Sequence, residues 1–240
     1  MSVHIFTSRD AQGAADACAR RIFSLLGAAL SNQDRTSLAV SGGSTPKLMF
    51  QKMAATPFQW DRVHLFFVDE RSVPPADSAS NYKLVHENLI APAQIPGSNV
   101  HRIIGEIEPQ AAAARYEAEI RDFFGLRNGE MPKFDIVHRG IGPDAHTASL
   151  FPGNPLIDDQ TGIAAATFAP QFQQWRVTLL PGVLEAAKHT VLLVAGEDKV
   201  EAVRAVFGEK YDPKKYPAQI GNNGDDVAWF LDEKAVRSKA

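Results

Sequence analysis

One carboxylate and one imidazole, a single residue apart, are the groups in this chain best placed to do chemistry. Asp144 and His146 lie within FDIVHRGIGPDAHTASLFPG, residues 134–153. The run Phe134-Asp135-Ile136-Val137 has strand character, and Gly140 and Gly142 interrupt the chain just beyond it. A strand that stops at a glycine-broken turn delivers both side chains to one place, at the carboxyl end of a strand where α/β enzymes build their sites. Imidazole titrates nearest neutrality of all side chains, so a positioned His146 is a general-base candidate with Asp144 as its partner. A plainer role is open too: Asp144 as the N-cap of a helix beginning at His146-Thr147-Ala148-Ser149.

A second constellation is Ser41-Gly42-Gly43-Ser44-Thr45-Pro46, which comes after the apolar strand Ser37-Leu38-Ala39-Val40 and precedes a helical pattern over Lys47 to Met53. Strand, glycine pair and helix N-terminus make a cradle of backbone N–H groups that suits a phosphate, with Ser44 and Thr45 as added donors. The Lys of a Walker loop is missing and the pattern is not G-x-G-x-x-G, so no nucleotide is implied. Read structurally, the same loop is a tight turn with Thr45 as N-cap and Pro46 at the first helical position.

Charged residues supply a third set. Asp69-Glu70-Arg71 closes the apolar run Val63 to Val68. Such a triplet is often a solvated turn, yet a guanidinium binds phosphate through a planar fork, which makes Arg71 the leading anion ligand with Asp69 beside it. Lys199 in Gly196-Glu197-Asp198-Lys199 and Arg176 before the strand Val177 to Leu180 are further cation candidates. No metal site is expected: His4, His64, His86, His101, His138, His146 and His189 are scattered, with no H-x-x-x-H pair. Ser149 lacks the G-x-S-x-G turn of a serine nucleophile.

The elements that must position these residues alternate. Strands are expected at Val3–Phe6, 37–40, 63–68, Val100–Ile103, 134–137, 177–180 and Thr190–Ala195, the last strong one. Helices are expected at Asp10–Leu30, 47–53, Tyr82–Ile90, Glu108–Phe124, Gly182–Ala187 and Glu197–Phe207. That alternation predicts an α/β fold, a Rossmann-like, mostly parallel sheet with helices on both faces. Neither a repeat nor a linker-like composition shift divides residues 1–240, which are expected to form one domain.

Composition narrows the class. The chain has 240 residues, 45% hydrophobic and 22% charged, with a formal net charge of −3. No electrostatic footprint for nucleic acid or an anionic membrane is present, and no transmembrane or signal segment is expected. The single cysteine, Cys18, excludes an intrachain disulfide, and a cytoplasmic location is expected.

With those residues in place, the chain resembles the 6-phosphogluconolactonase family over nearly its whole length. The matching segments are LAVSGGSTP (38–46), FFVDERSVP (66–74) with Ser80-Asn81-Tyr82, and GIGPDAHTASLFPG (140–153), then RVTL (176–179), the turn 196–199, Pro217-Ala218-Gln219 and Trp229-Phe230-Leu231-Asp232. HTASLFPG is highly specific; SGGSTP is shared with related sugar-phosphate isomerases. The resemblance implies the sugar-phosphate isomerase/deaminase-like fold and hydrolysis of 6-phosphogluconolactone in the oxidative pentose phosphate pathway, without cofactor. His146 is then the expected base, and Asp144 orients it. Gly42, Gly43, Ser44, Thr45, Asp69, Arg71, Arg176 and Lys199 are expected to hold substrate. The expected partner is a small phosphosugar lactone, and the expected state is a monomer or weak homodimer.

The family usually carries Gly where this chain has Ala145 and apolar residues where it has His138 and Arg139; these two are either extra substrate contacts or an exposed strand edge, and the edge is expected. Two alternatives stand beside this reading. An aldose–ketose isomerase or amino-sugar-phosphate deaminase on the same fold would carry a glutamate soon after the Asp-x-His loop, where this chain has Ser149-Leu150-Phe151-Pro152. A non-catalytic phosphosugar-binding module would normally carry a DNA-binding segment.

Overall fold

Asp10 starts the first long helix: its carboxylate accepts the Gly13 N–H at 2.8 Å, ahead of an Ala-rich stretch with high helix propensity. In the computed structural model, which describes residues 2–208, 210–222 and 224–236, the elements in chain order are β1 (Ser2–Ser8), α1 (Ala11–Leu30), β2 (Thr36–Val40), α2 (Ser44–Ala54), β3 (Val63–Phe67) and β4 (Asp69–Arg71). Then come α3 (Asn81–Val85), β5 (Val100–His101), α4 (Pro109–Phe124), β6 (Ile136–Arg139), β7 (Ala164–Ala169), β8 (Gln174–Leu179), α5 (Pro181–Ala186), β9 (His189–Val194), α6 (Val200–Gly208), β10 (Asp226–Asp232) and α7 (Glu233–Val236).

Seven strands form one parallel sheet in the order β1-β10-β9-β6-β2-β3-β5. Side chains alternate across it, and β10 shows the consequence. Ala228 and Phe230 join the core that contains α1, α2 and α4, whereas Val227, Trp229 and Leu231 join Ala202, Val203 and Val206 of α6. Helices therefore cover both faces, and the expected Rossmann-like architecture is the one observed. The central strands are largely apolar because neither face meets water, although Ser37, His138 and Arg139 are buried among them.

Several details differ from expectation. β9 is not the last strong strand: β10 comes after it in the chain and lies inside the sheet, between β1 and β9. A second sheet, β4-β8-β7, is antiparallel and is an addition to the expected mostly parallel one. Its β7, AAATFA, is rich in Ala and offers little β-propensity of its own. Asp69-Glu70-Arg71 is thus not a solvated turn but strand β4, with Asp69 5% and Glu70 2% exposed. Helix α2 begins at Ser44 with Gly43 at the N-cap, so Thr45 is not the cap and Pro46 is not the first helical residue. Arg176 lies within β8 rather than before it. His138 and Arg139 are both 0% exposed, which overturns the exposed edge. β6 is flanked by β9 and β2, so its alternation sends both side chains between sheet and helices.

Candidate active site

The loop after β6 is shaped by its own backbone. Gly142 donates its N–H to the His146 carbonyl (2.8 Å), Ala145 to the Gly142 carbonyl (3.0 Å), and the Thr147 hydroxyl to the Gly140 carbonyl (3.0 Å). From outside, Ala218 N–H donates to the Ala145 carbonyl at 2.8 Å. No helix starts at His146; residues 147 and 150 form a short antiparallel bridge instead, so Asp144 is not a helix cap. A Cβ at position 142 would sit 2.0 Å from the His146 ring, so glycine there is what admits the imidazole. Ala145 holds φ 62 and is 2% exposed, a left-handed conformation that strains an L-residue.

The two reactive side chains meet. Asp144 Oδ1 lies 2.5 Å from His146 Nδ1 and also accepts the His146 N–H at 3.2 Å. Burial by itself pushes the Asp144 carboxyl up, but the hydrogen bond and charge of His146 outweigh it and hold the group below the usual carboxylate range. With Nδ1 donating to a carboxylate, Nε2 is left as the ring nitrogen with a free lone pair when the ring is neutral.

His146 opens on a cavity of about 210 Å³ whose lining includes Gly42, Gly43, Asp69, Arg71, Arg176 and Lys199. Those six candidates and His146 are therefore gathered in one place, by the ends of β2, β6 and β9 on one side and by β4 and β8 on the other. Asp144 stands behind His146. Ser44 and Thr45, the first residues of α2, do not line the cavity. Ser41 of the expected cradle does, as do Gly140 and Gly142 of the glycine-broken turn; Asn81, Ile141, Pro143 and Ala148 line it too, and the sequence pattern does not single these four out as site residues.

Two arginines face each other across the antiparallel pair of β4 and β8. Arg71 and Arg176 are direct register partners, an arrangement of like charges that destabilises a sheet unless an anion sits between them. The Nε of each is buried without a partner among the described residues, although Arg71 donates to the Ala79 carbonyl (2.5 Å). Arg176 is 6% exposed, and its guanidinium lies over the rings of Phe172 and Phe151 at 4.8 and 5.6 Å. Burial lowers its pKa, Asp69 at 4.0 Å counters, and Arg71 lowers it further. Lys199 adds a third cation, with Nζ 2.8 Å from Asp198.

Ser149 explains itself here. Its hydroxyl donates to Asp69 Oδ2 (2.8 Å) and its N–H to the Thr178 hydroxyl (3.1 Å). It ties the His146 loop to both strands that carry the arginines, and it is no nucleophile.

Comparisons with known proteins show the family and the fold. A family model described as glucosamine-6-phosphate isomerases/6-phosphogluconolactonase matches residues 9–229. The chain belongs to that family. A 6-phosphogluconolactonase of Haemophilus influenzae is 37% identical over 205 residues, 83% of this chain and 86% of that protein. One from Nostoc is 34% identical over 215 residues, 89% of each. The crystal structure of 6-phosphogluconolactonase from Thermotoga maritima superposes with a TM-score of 0.85 at 26% identity, covering 97% of this chain and all of that one. Within this family fold the missed residue with the clearest signal is Asn81. Ser80-Asn81-Tyr82 stands in the sequence as a segment apart from the charged triplet, and only the structure shows Glu70 reaching across to hold it.

Proposed function

We propose that the chain hydrolyses 6-phospho-D-glucono-1,5-lactone to 6-phosphogluconate, the lactone step of the oxidative pentose phosphate pathway, with His146 as general base and no cofactor. The supporting observation is the Asp144–His146 pair opening on a cavity that two cross-strand arginines also line. A base and cations in one cavity match a substrate that carries both an electrophilic carbonyl and a phosphate dianion. The relatives named 6-phosphogluconolactonase support the same substrate class.

His146 Nε2 takes a proton from water as the water oxygen bonds to C1 of the lactone. Asp144 holds the ring in the required tautomer and stabilises the imidazolium. The oxyanion then needs donors. Ser41 and Gly142 already give their N–H groups to the carbonyls of His138 and His146, and in this reading Gly42 and Gly43, at the start of α2, take the role. A preorganised donor of this kind contributes about 2.7–4 kcal/mol. Collapse breaks the bond from C1 to the ring oxygen, His146 returns its proton to that oxygen, and the new acid ionises to solvent. Arg71, Arg176 and Lys199 hold the phosphate; Asp69 orients this wall through Ser149. Ser44 and Thr45 contribute to the site only by beginning the helix.

An isomerase or deaminase reading finds less support. The segment after His146 offers Ser149, bonded to Asp69, where those relatives carry a glutamate. Because both sheets supply the cavity, residues 1–240 act as one domain in this reading, as a cytoplasmic monomer or weak homodimer.

The test is to generate the lactone in situ, follow proton release, and offer glucosamine 6-phosphate in parallel. Lactone turnover with no ammonia release is expected. His146→Ala is expected to lose about 10²–10⁴-fold in kcat, the usual contribution of a general base. Near-normal turnover of that variant, after correction for spontaneous hydrolysis, would remove His146 from the role.

A further inference from the structure

We infer that Asn81 is a specificity-determining residue whose side-chain oxygen accepts a hydrogen bond from the C2 hydroxyl of the lactone. The inference rests on the lactonase reading and adds to it what the site recognises beside the reacting carbon.

Asn81 is the first residue of α3 and is 2% exposed. Its Nδ2 donates to the Asp69 carbonyl at 2.9 Å and lies 3.4 Å from Asp69 Oδ1. Both neighbours are acceptors only, so the amide has one orientation: nitrogen to Asp69, oxygen away from it. That oxygen is buried and has no partner among the described residues. It lies against Gly42, where an added Cβ would meet it at 2.0 Å, and Asn81 lines the cavity together with Ser41, Gly42 and Gly43.

The side chain is not at liberty to turn toward another donor. The Glu70 carboxylate accepts the N–H groups of Arg71 (2.8 Å), Asn81 (2.7 Å) and Tyr82 (2.7 Å) and the hydroxyl of Ser80 (3.0 Å). One buried carboxylate therefore fastens the start of α3 to β4, and the amide is presented to the cavity by a rigid mount. A buried acceptor without a donor is costly, and a cavity wall is where such a cost serves binding.

The chemistry of the partner can be read from that oxygen. A phosphate offers acceptors and negative charge, which an amide oxygen repels; the cations on β4 and β8 already answer for it. A sugar hydroxyl offers the donor. The proposed mechanism assigns the C1 oxyanion to Gly42 and Gly43, and with C1 there the hydroxyl nearest to Asn81 Oδ1 is the one on the adjacent carbon, C2. A site built around a hydroxyl rejects the analogue that lacks it, because the site's own group is then left unpaired.

The experiment compares the parent lactone with its 2-deoxy, 3-deoxy and 4-deoxy analogues, each made in situ by oxidation of the corresponding deoxy-glucose 6-phosphate and each corrected for its spontaneous hydrolysis. Wild-type kcat/KM is expected to fall about 10- to 100-fold for the 2-deoxy compound, the size associated with a buried acceptor losing its donor, and less for the others. Asn81→Ala is expected to lose a similar factor on the parent lactone and nothing further on the 2-deoxy one. If Asn81→Ala still discriminates against the 2-deoxy lactone as wild type does, the assignment is wrong. Should that variant fail to fold, the wild-type comparison decides alone: a 2-deoxy penalty no larger than the 3-deoxy and 4-deoxy ones overturns the proposal. Equal wild-type turnover of all four lactones overturns it without any variant. A wild-type protein inactive on the parent lactone fails the lactonase reading instead, and that outcome is visible before any analogue is tried.

Discussion

The two ends of the same parallel strands are built on opposite rules. At the amino ends, Asp135 sits ahead of β6 and is 7% exposed, yet every need of its carboxylate is met. It accepts from the Thr36 hydroxyl (3.1 Å), the Ser37 N–H (2.8 Å) and hydroxyl (2.9 Å), and Lys188 Nζ (2.7 Å). At the carboxyl ends, about 15 Å along at ~3.3 Å per residue, Ser41 Oγ, Arg71 Nε, Asn81 Oδ1 and Arg176 Nε are all buried without partners among the described residues. The first arrangement closes on itself and holds strands together. The second is complete only when something else is present. Burial is alike in both; what separates structure from site is whether the buried polar atoms are satisfied.

The largest expected effect that tests this contrast is at Arg176. Arg176→Met removes one of two like charges and the proposed charge-assisted contact to phosphate, worth about 1.5–3 kcal/mol. A fall of about 10- to 100-fold in kcat/KM on the phosphorylated lactone is expected, with little change on unphosphorylated gluconolactone and no loss of thermal stability. An equal fall on both substrates would make Arg176 a structural residue and break the comparison.

At the other end the outcome is reversed. Asp135→Ala leaves the Ser37 N–H and two hydroxyls buried without an acceptor, at a cost of about 2–3 kcal/mol, while half-exposed Lys188 returns to water. A drop of roughly 5–10 °C in Tm with unchanged kcat/KM is expected. The pH dependence has a definite sign. Burial pushes the Asp135 carboxyl up, but Lys188 and the Ser37 N–H outweigh it and hold its pKa below the ordinary value. Its contribution is therefore present above about pH 4 and is lost as pH falls through the lowered folded-state value. Melting curves of wild type and variant should converge in acid and separate at neutrality.

The same contrast decides how much of the molecule was legible in its sequence. Asp144, His146 and the glycine cradle could be read because their types and spacing carry local meaning, and β2, β3, β9 and the first half of β6 because strands buried on both faces are mostly apolar. The parts that could not be read depend on distant partners. Asp69-Glu70-Arg71 resembles a solvated turn until β8 pairs with it and Glu70 receives α3. Asn81 looks like part of a helix start until Asp69 fixes its amide. β10 lies near the end of the described chain and so reads as a tail, although it sits within the sheet. His138-Arg139 looks like an exposed edge because nothing local reports that helices cover that strand end.

Those two residues test the comparison from outside the cavity. Arg139 donates to the Ile220 carbonyl at 2.8 Å, but its Nε and Nη1 are unpartnered among the described residues, as are both His138 nitrogens. Burial takes the His138 pKa down to about 3, with Arg139 adding to it, and that of Arg139 down to about 10, against the pull of Glu185. Away from the cavity, orphaned nitrogens stabilise nothing. Arg139→Met is expected to leave kcat/KM unchanged and to alter stability between zero and a gain of about 2 kcal/mol, as replacement of buried ions by apolar side chains often does. A large loss of activity would mean that the Ile220 carbonyl, and through that segment the clamp on Ala145, depends on this guanidinium.

The smallest effect is expected at Ala145 itself, where two terms oppose. The left-handed backbone, φ 62, costs an alanine about 1 kcal/mol that glycine would not incur. Yet the methyl group is packed with Ile141, Leu192, Val194 and Ala218, and removing it forfeits about 0.8 kcal/mol of burial. Ala145→Gly should therefore shift Tm by no more than about 3 °C in either direction. Activity should also hold, because the position of His146 is set by the Gly142–His146 and Ala218–Ala145 backbone hydrogen bonds, which the substitution leaves in place. A fall of more than several-fold in kcat without a change in Tm would show instead that the β-carbon restricts the loop, and that the strain at residue 145 is part of how the base is aimed.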